Sequence, residues 1–274
     1  MKSILIVCVN YNSYECLTNY LTSIDVAASK VRGRLRVVVA VMDNTETNYQ
    51  DVSGAYDNFE LKVFDQHKNL GYMGGAAKAL EELGRDYVSS FDFTIVSNVD
   101  ITLADCFFSN LLEMAVENVG WICPSILRTR FNLSDENPFL VKKLPLTKYD
   151  ALIWMHSHPR IHSLYAWLRR KMPKNAPNSN PGRVRKEIYA GMGALFLFTQ
   201  RFVGEYYPLT YPCYMYAEEL YYAEMVQRMG LKTIYDNSLV VYDVGGVSTN
   251  SLGAKKKCKI NKDSMLKLRP ILYK

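Results

Sequence analysis

The stretch FDFTIVSNVD, from Phe91 to Asp100, has the pattern of a buried strand that ends in the polar tripeptide Asn98-Val99-Asp100. Open α/β sheets bind ligands beyond the carboxyl ends of parallel strands, so a carboxylate at this place is expected to face a ligand. Mg²⁺ and Mn²⁺ prefer such hard oxygen ligands. We therefore expect a metal-diphosphate site at Asp100. Taken alone, this Asp could equally cap the helix that we predict from about Ala104 to Asn118.

Strand and helix patterns alternate on both sides of this stretch, which predicts an α/β fold with a mixed, mostly parallel sheet flanked by helices. A Gly-rich turn from Asn69 to Gly75 leads into an Ala-rich helix that continues through Leu83. A second helix is predicted from Glu218 to Met229. The other predicted strands are Ser3 to Val9, Arg36 to Met42, Leu61 to Phe64, Trp121 to Leu127, Ala194 to Thr199, Leu231 to Tyr235 and Leu239 to Tyr242.

Length and composition are those of one globular domain. The 274 residues predict a single domain at 1–250, with a basic helical insertion at about 128–187 and a basic tail at 251–274. No apolar run approaches the roughly 20 residues that a membrane-spanning helix needs. The six cysteines form no CxxC pair, which favours reduced thiols, a cytoplasmic location and no structural zinc.

The net charge of +6 is concentrated in two segments. No acidic residue occurs from Ala151 to Lys186, and the C-terminal residues 251–274 contain Asp263 among many lysines. Such segments are usually solvated surface. The apolar positions from Ile161 to Met172 share one helical face beside basic residues, which also suits an anionic membrane surface. We expect no nucleic acid partner, because no recognition fold accompanies the charge.

Polar residues follow three further predicted strands, namely Asn10, Asp43 and Asp243. Together with Asp100 they are expected to meet at the ligand-binding edge of the sheet. A second acidic group is Glu218-Glu219, in the first turn of a predicted helix, where the helix dipole favours ionised carboxylates. An ionised carboxylate beside a cleft can act as a general base, although acidic residues are also common at helix starts for structural reasons alone.

Other side chains give weaker signals. His67 lies in a loop where it either contacts phosphate or is simply exposed. The group His156, His158 and His162 has no Cys or carboxylate close by in sequence, so we expect no zinc site there. The aromatic segment from Tyr211 to Tyr216 either lines an acceptor pocket, since aromatic faces suit sugars, or packs in the core.

Five short motifs follow one another along the chain. They are VCVNYNS at Val7 to Ser13, VMDNTE at Val41 to Glu46, NLGYMGG at Asn69 to Gly75, SNVD at Ser97 to Asp100 and YAEELYYAEMVQRMG at Tyr216 to Gly230. In this order they resemble the motifs of the inverting glycosyltransferases of family 2, which have the GT-A fold. The Asn-led SNVD resembles the rhamnosyltransferase-like members. The resemblance covers about residues 3–127 and 187–246.

The resemblance implies a nucleotide-sugar half at 1–120 and an acceptor half at 121–250. Asp43 would accept a hydrogen bond from the ring N–H of the base, which among pyrimidines only uracil and thymine offer, so the donor would be a UDP- or dTDP-sugar. Asp100 would ligate the Mn²⁺ or Mg²⁺ that bridges the diphosphate, and Asp243 is the candidate for a further ligand. Glu219 would deprotonate the acceptor hydroxyl, and a single displacement would invert the sugar. The remaining nucleotide-sugar contacts implied are Val9, Asn10, Tyr11, Gly74, Gly75 and Asn98.

The chain also departs from this pattern. Ala76 and Ala77 stand where many members have Asn or Arg, so a donor contact is missing or supplied elsewhere. The His that usually ligates the metal after the last strand is absent, and Asp243 is an acceptable oxygen ligand near that place. Glu replaces Asp at position 219, which leaves open whether Glu218 or Glu219 is the base.

These features predict a metal-dependent inverting glycosyltransferase on the cytoplasmic face of a membrane, acting on a glycan or lipid-linked oligosaccharide in surface polysaccharide biosynthesis. A sugar-1-phosphate nucleotidyltransferase is an alternative, although Asn10 to Ser13 lacks the basic Gly-rich loop usual in those enzymes. A non-catalytic nucleotide-sugar- or glycan-binding module is another, suggested by Ala77, Met225 and the missing His. A dinucleotide oxidoreductase is disfavoured, because Gly71 to Gly74 lacks the GxGxxG spacing.

Overall fold

A computed structural model describes residues 1–52, 54–130, 133–158, 160–161, 182–244 and 253–274. Within these residues ten strands form one sheet. The strands are β1 Lys2–Asn10, β2 Leu35–Asp43, β3 Glu60–Asp65, β4 Phe93–Ser97, β5 Ile101–Leu103, β6 Val119–Arg128, β7 Ser134–Asp135, β8 Arg185–Ile188, β9 Leu195–Thr199 and β10 Lys232–Asp243. The helices are α1 Tyr14–Ser29, α2 Tyr72–Leu83, α3 Arg85–Ser89, α4 Phe107–Leu112, α5 Leu146–His156, α6 Gln200–Glu205, α7 Glu218–Arg228 and α8 Ala254–Leu272.

The sheet continues through both halves of the chain in the order β3-β2-β1-β4-β9-β6-β10-β5. Strands β3, β2, β1 and β4 are parallel, so their carboxyl ends meet at one edge. Strand β9 is antiparallel to both β4 and β6, and β6 pairs in parallel with β10. The predicted mixed α/β architecture is therefore confirmed.

Two apolar cores cover the two faces of the sheet. Alternate side chains of a strand point to opposite faces, so Ile4 and Ile6 of β1 enter one core while Leu5 and Val7 enter the other. Helices α1 and α4 pack on the Ile4 side. The core on the Leu5 side contains residues of α2, α5, α6, α7 and α8. Burial on both faces explains why β1 and β2 are almost continuously apolar.

Several predicted boundaries differ from the structure. Strand β4 ends at Ser97, and residues 98–100 form a turn before β5. The helix expected to reach Asn118 ends at Leu112. After this residue the chain is no longer helical, and Met114 packs against the core from an irregular segment. The chain then turns at Asn118, whose φ is 55°. The two short strands expected after α7 are one strand, β10, with an irregular register between Asp236 and Val240.

The segment expected to be a basic tail contains the helix α8, which packs against α5 and α7. The Tyr149 hydroxyl donates a hydrogen bond to the Met265 carbonyl at 2.9 Å. The Arg269 guanidinium donates two hydrogen bonds to the Asp150 carboxylate, at 2.7 and 2.9 Å. This helix is therefore part of the folded core, and its buried residues are Cys258, Ser264, Met265, Leu268 and Leu272.

No helix among the described residues is long and apolar enough to cross a bilayer. Most of the predicted basic face from Ile161 to Met172 lies outside the described residues, as does Gly246 at the end of the predicted motif region. Contact with an anionic membrane surface through that face stays a prediction.

Two leucines of α8 test whether this helix contributes to stability. Leu268 is fully buried, whereas Leu266 is 45% exposed. We expect Leu268→Ala to lower the free energy of unfolding by about 2–4 kcal/mol, because a buried Leu loses both its transfer free energy and its packing. Leu266→Ala, the matched control, is expected to change it by less than about 0.5 kcal/mol. Urea denaturation measures both, and equal effects would show that α8 is not docked in solution.

Candidate active site

A cavity of about 400 Å³ opens at the edge of the sheet where the parallel strands end. It collects residues that are far apart in the sequence, because β1, β4 and β10 all end there. Of the residues predicted from the sequence, it is lined by Val9, Tyr11, Asn98, Asp100, Glu218, Glu219 and Asp243. The two predicted acidic groups therefore share one cavity.

Asp100 and Asp243 form one acidic corner of this cavity. The backbone carbonyl of Asp100 accepts a hydrogen bond from the Val244 N–H at 3.1 Å, directly after Asp243. Both side chains are largely buried, at 8% and 5% exposure. Arg128 lies beside them, with its Nε 3.6 Å from Asp243 Oδ2. The corner thus combines two carboxylates with a guanidinium that balances part of their charge.

The donor set of this corner fits a divalent cation that shares its coordination with a ligand. No cluster of three or more Asp, Glu, His or Cys suited to a metal occurs among the described residues, so a cage made by protein alone is not present there. Mg²⁺ and Mn²⁺ are commonly held by one or two carboxylates together with phosphate oxygens and water. Asp100 and Asp243 supply the two carboxylates in that arrangement.

The second acidic group lies where α7 begins. Tyr216 and Ala217 precede it with left-handed φ angles of 69° and 66°, a strained conformation for residues other than Gly. The Glu218 carboxylate turns back and accepts the Tyr216 N–H at 2.8 Å. The Glu219 carboxylate accepts the Gly193 N–H at 3.2 Å. A Cβ atom at position 193 would lie 2.7 Å from Glu219 Oε1, so Gly at this position allows the contact.

The two glutamates differ in protonation. Burial raises the pKa of Glu218 to about 8, and the negative charge of Glu219 adds to this effect. Burial also raises the pKa of Glu219, but hydrogen bonds from its own N–H and from the Gly193 N–H favour its ionised form. At neutral pH Glu218 therefore keeps its proton, while the two backbone N–H groups stabilise the ionised form of Glu219.

Asp43 and Asn10 do not line the cavity. Asp43 is fully buried, and its carboxylate accepts hydrogen bonds from Asn10 Nδ2 at 3.1 Å, the Tyr14 hydroxyl at 2.6 Å and the Thr45 N–H at 3.0 Å. Asn10 is also fully buried and accepts the Ser13 N–H at 3.2 Å. These two residues connect the ends of β1 and β2. Direct nucleobase contact by Asp43 stays a prediction, and it requires these internal hydrogen bonds to be replaced.

The neighbouring Asn44 reaches the cavity instead. Its side chain is 1% exposed, and its Nδ2 donates a hydrogen bond to the Gly71 carbonyl at 3.0 Å. Its Oδ1 is buried and accepts no hydrogen bond within the described part of the chain. An unsatisfied buried acceptor costs about 1–3 kcal/mol, so this oxygen suits a ligand that brings an N–H group.

The glycine-rich turn shapes this end of the cavity. Gly71 lines it with a φ of 75°, and a Cβ there would collide with the Tyr214 carbonyl. A Cβ at Gly75 would lie 2.9 Å from Asn44 Nδ2, so Gly75 makes room for Asn44 without lining the cavity itself. Gly74 is less constrained, since a Cβ atom at this position would lie 3.5 Å from the Leu70 side chain, an ordinary van der Waals distance.

Further residues complete the walls. Asn44 and Gly71 belong to motifs recognised in the sequence, but no pattern distinguished Asn44 from Asp43. Tyr214 and Tyr216, from the tyrosine-rich segment at Tyr211 to Tyr216, also line the cavity. This agrees with the interpretation in which the segment lines a pocket. Asn69 and Tyr72 belong to the Gly-rich motif and Met215 to the tyrosine-rich segment. The lining residues that no sequence pattern marked as part of a site are Arg128, Met192, Gly193, Ala194, Lys256 and Ile260.

Comparison with known proteins supports the fold. The sequence matches no family model and no curated protein. The mannosyltransferase PcManGT from Pyrobaculum calidifontis, in complex with GDP-Man and Mn²⁺, has a TM-score of 0.50 and 13% identity, with 90% of this chain and 58% of that chain covered. GalNAc-T7 with UDP, GalNAc and Mn²⁺ has a TM-score of 0.54 and 13% identity, with 89% and 44% covered. This chain has the GT-A fold and spans about half the length of these two proteins.

The raised pKa of Glu218 predicts how stability depends on pH. Between pH 4.5 and about 8 the folded protein keeps a proton on Glu218 that the unfolded chain releases, so stability falls as the pH rises through this window. The slope is at most about 1.4 kcal/mol per pH unit. We expect Glu218→Gln to flatten it and Glu205→Gln, on the exposed end of α6, to leave it unchanged. Urea denaturation from pH 5 to 8 checks this, and equal slopes for wild type and Glu218→Gln would contradict it.

Proposed function

We propose that the protein is a metal-dependent inverting glycosyltransferase that moves a sugar from a UDP- or dTDP-sugar to a hydroxyl of a glycan or lipid-linked acceptor. One observation carries this proposal: Asp100 and the Glu218-Glu219 pair line the same cavity. PcManGT and GalNAc-T7, which share the fold, were solved with GDP-Man and Mn²⁺ and with UDP, GalNAc and Mn²⁺, which supports a nucleotide-sugar donor. The two carboxylates of the acidic corner are oxygen ligands of the kind that such a cation prefers, which supports the proposed metal dependence.

The nucleoside would occupy the end of the cavity formed by Val9, Tyr11 and Asn44. Asn44 lines the cavity and its Oδ1 has no donor among the described residues, which supports a role for it in accepting the imide N–H of uracil or thymine. Its Nδ2 is already bonded to the Gly71 carbonyl, which fixes the orientation of the amide. Asn44 is therefore a second candidate for the base-recognition role that the family resemblance implies for Asp43.

The diphosphate would lie against Asp100 and Asp243. These carboxylates would hold the Mn²⁺ or Mg²⁺, which when bound would offset the negative charge that develops on the leaving nucleoside diphosphate. Asn98, which also lines the cavity, has its backbone fixed by a hydrogen bond from its N–H to the Ala194 carbonyl at 3.0 Å. The turn that carries Asp100 is therefore held by the residue that precedes β9 as well as by its connection to β4.

Glu219 would act as the general base. Two backbone N–H groups favour the ionised form of its carboxylate, and the one from Gly193 fixes its position. It accepts the proton of the acceptor hydroxyl while that oxygen forms a bond to the anomeric carbon and the bond from this carbon to the diphosphate breaks. Burial raises the pKa of Glu218 to about 8, so Glu218 keeps its proton at neutral pH and the pair carries at most one negative charge. A single displacement of this kind inverts the anomeric configuration.

A thermal-shift panel tests the donor. We expect a UDP- or dTDP-sugar to raise the melting temperature when Mn²⁺ is present and much less without it, because a ligand bound only by the native state stabilises it. Asn44→Ala is expected to reduce this shift. Stabilisation by nucleoside triphosphates, with pyrophosphate release in the presence of a sugar phosphate, would instead identify a nucleotidyltransferase.

Two substitutions test the chemistry. We expect Asp100→Asn to abolish transfer and to weaken Mn²⁺-dependent donor binding, because a metal ligand loses its charge. Glu219→Gln is expected to lower the transfer rate at least about a hundredfold, the usual contribution of a positioned base, with donor affinity changed less than about threefold. Glu205→Gln serves as the control. Release of nucleoside diphosphate and calorimetric binding provide the two measurements.

The results also separate the alternatives. Full turnover by Glu219→Gln would remove this residue from the role of base. Tight Mn²⁺-dependent nucleotide binding with neither transfer nor donor hydrolysis, across a broad acceptor panel, would indicate a binding module without catalysis.

A further inference from the structure

The charges around the cavity differ in how they are paired. In the described part of the chain, Asp100, Glu218, Glu219 and Asp243 face Arg128 and Lys256. The Arg128 guanidinium lies 3.6 Å from the carboxylates of both Glu136 and Asp243, so its charge is shared between them. Lys256 forms no ion pair with any described residue. Its ammonium group is therefore available to an anionic ligand.

The helix that carries Lys256 places cations where they are unfavourable. Lys255, Lys256 and Lys257 occupy the first turn of α8, and this turn has no acidic residue. The amide groups at a helix start already carry partial positive charge, so three lysines there destabilise the helix. Proteins tend to keep such locally unfavourable arrangements at functional sites, so the three lysines point to a functional role for this turn. Of these three residues, Lys256 lines the cavity.

The position of α8 is fixed by contacts along its length. The Ser264 hydroxyl donates a hydrogen bond to the Met215 carbonyl at 2.7 Å, which ties the helix to the wall of the cavity. Near its end, the Lys143 ammonium donates to the Leu272 carbonyl and to the Glu224 carboxylate, each at 2.6 Å. Cys258, two residues after Lys256, is buried. Lys256 thus extends from a docked helix.

Helix α2 brings no cation to the same cavity. Ala76 and Ala77 are buried in its core-facing side. The Lys78 ammonium instead pairs with Glu82, four residues further along α2, at 2.6 Å. Positive charge that a bound diphosphate needs in addition to the metal therefore comes from an element other than α2. Helix α8 offers Lys256 for this purpose.

We propose that Lys256 binds the diphosphate of the donor and stabilises the negative charge that it gains as the bond to the sugar breaks. This inference rests on the proposed function. The ammonium would donate hydrogen bonds to phosphate oxygens, and no atom is transferred to or from Lys256. The last helix of the chain thereby becomes part of the donor site.

Binding of a nucleoside diphosphate and of its monophosphate tests this role. Calorimetry with UDP and UMP in Mn²⁺, or with dTDP and dTMP if wild type prefers thymine, compares wild type with Lys256→Ala and Lys256→Arg. We expect Lys256→Ala to weaken diphosphate binding about ten- to hundredfold, because a charge-assisted hydrogen bond is lost, and monophosphate binding less than about threefold. Lys256→Arg should restore most of the diphosphate affinity. Lys255→Ala and Lys259→Ala, exposed on the same helix, are the controls and should match wild type.

Each other outcome has a distinct meaning. Unchanged diphosphate affinity in Lys256→Ala, or equal losses for both nucleotides, would overturn the role of Lys256 and leave the proposed function intact. The same holds if Lys255→Ala weakens binding as much, since general surface charge would then explain the effect. Failure of wild type to bind any nucleoside diphosphate with Mn²⁺ would overturn the proposed function itself.

Discussion

The hydrogen bond from the Gly193 N–H to Glu219 is the contact on which the site depends, because it joins α7 to the centre of the sheet. Strand β9 pairs with β4, and the Asn98 N–H donates to the Ala194 carbonyl at 3.0 Å. One short backbone segment therefore holds the turn of Asp100 on one side and the Glu219 carboxylate on the other. The absence of a side chain at Gly193 is a packing requirement, since a Cβ there would meet Glu219.

The placement of the acidic groups follows from sheet topology, and this part could be predicted from the sequence. Buried apolar runs identify β1, β2 and β4, and the carboxyl ends of parallel strands meet at one edge. Asp100 and Asp243 were expected at that edge for this reason, and both line the cavity. The start of α7 could be predicted as well, because Glu218-Glu219 opens an apolar helical pattern that is followed by Gly230, and the helix ends at Arg228.

Other features depend on contacts that no local pattern records. Asp43 and Asn44 are adjacent, and only the network around Asp43, with three donors to its carboxylate, shows that Asn44 is the residue that faces the cavity. The apolar stripe of α8 is interrupted by lysines, so residues 251–274 had the composition of a solvated tail. Lys256 reaches the cavity only because Met265 and Leu268 dock that helix against the core.

The central claim is that the leaving diphosphate and the base act from opposite sides of the sugar within one cavity. The anomeric configuration of the first-formed product tests this most directly. With an α-linked nucleotide-sugar donor, proton NMR recorded during the first turnovers should show a β-linked product, which one displacement assisted by Glu219 would give. An α-linked first product would contradict the account, because it would require the acceptor to attack from the side of the leaving group or through two displacements.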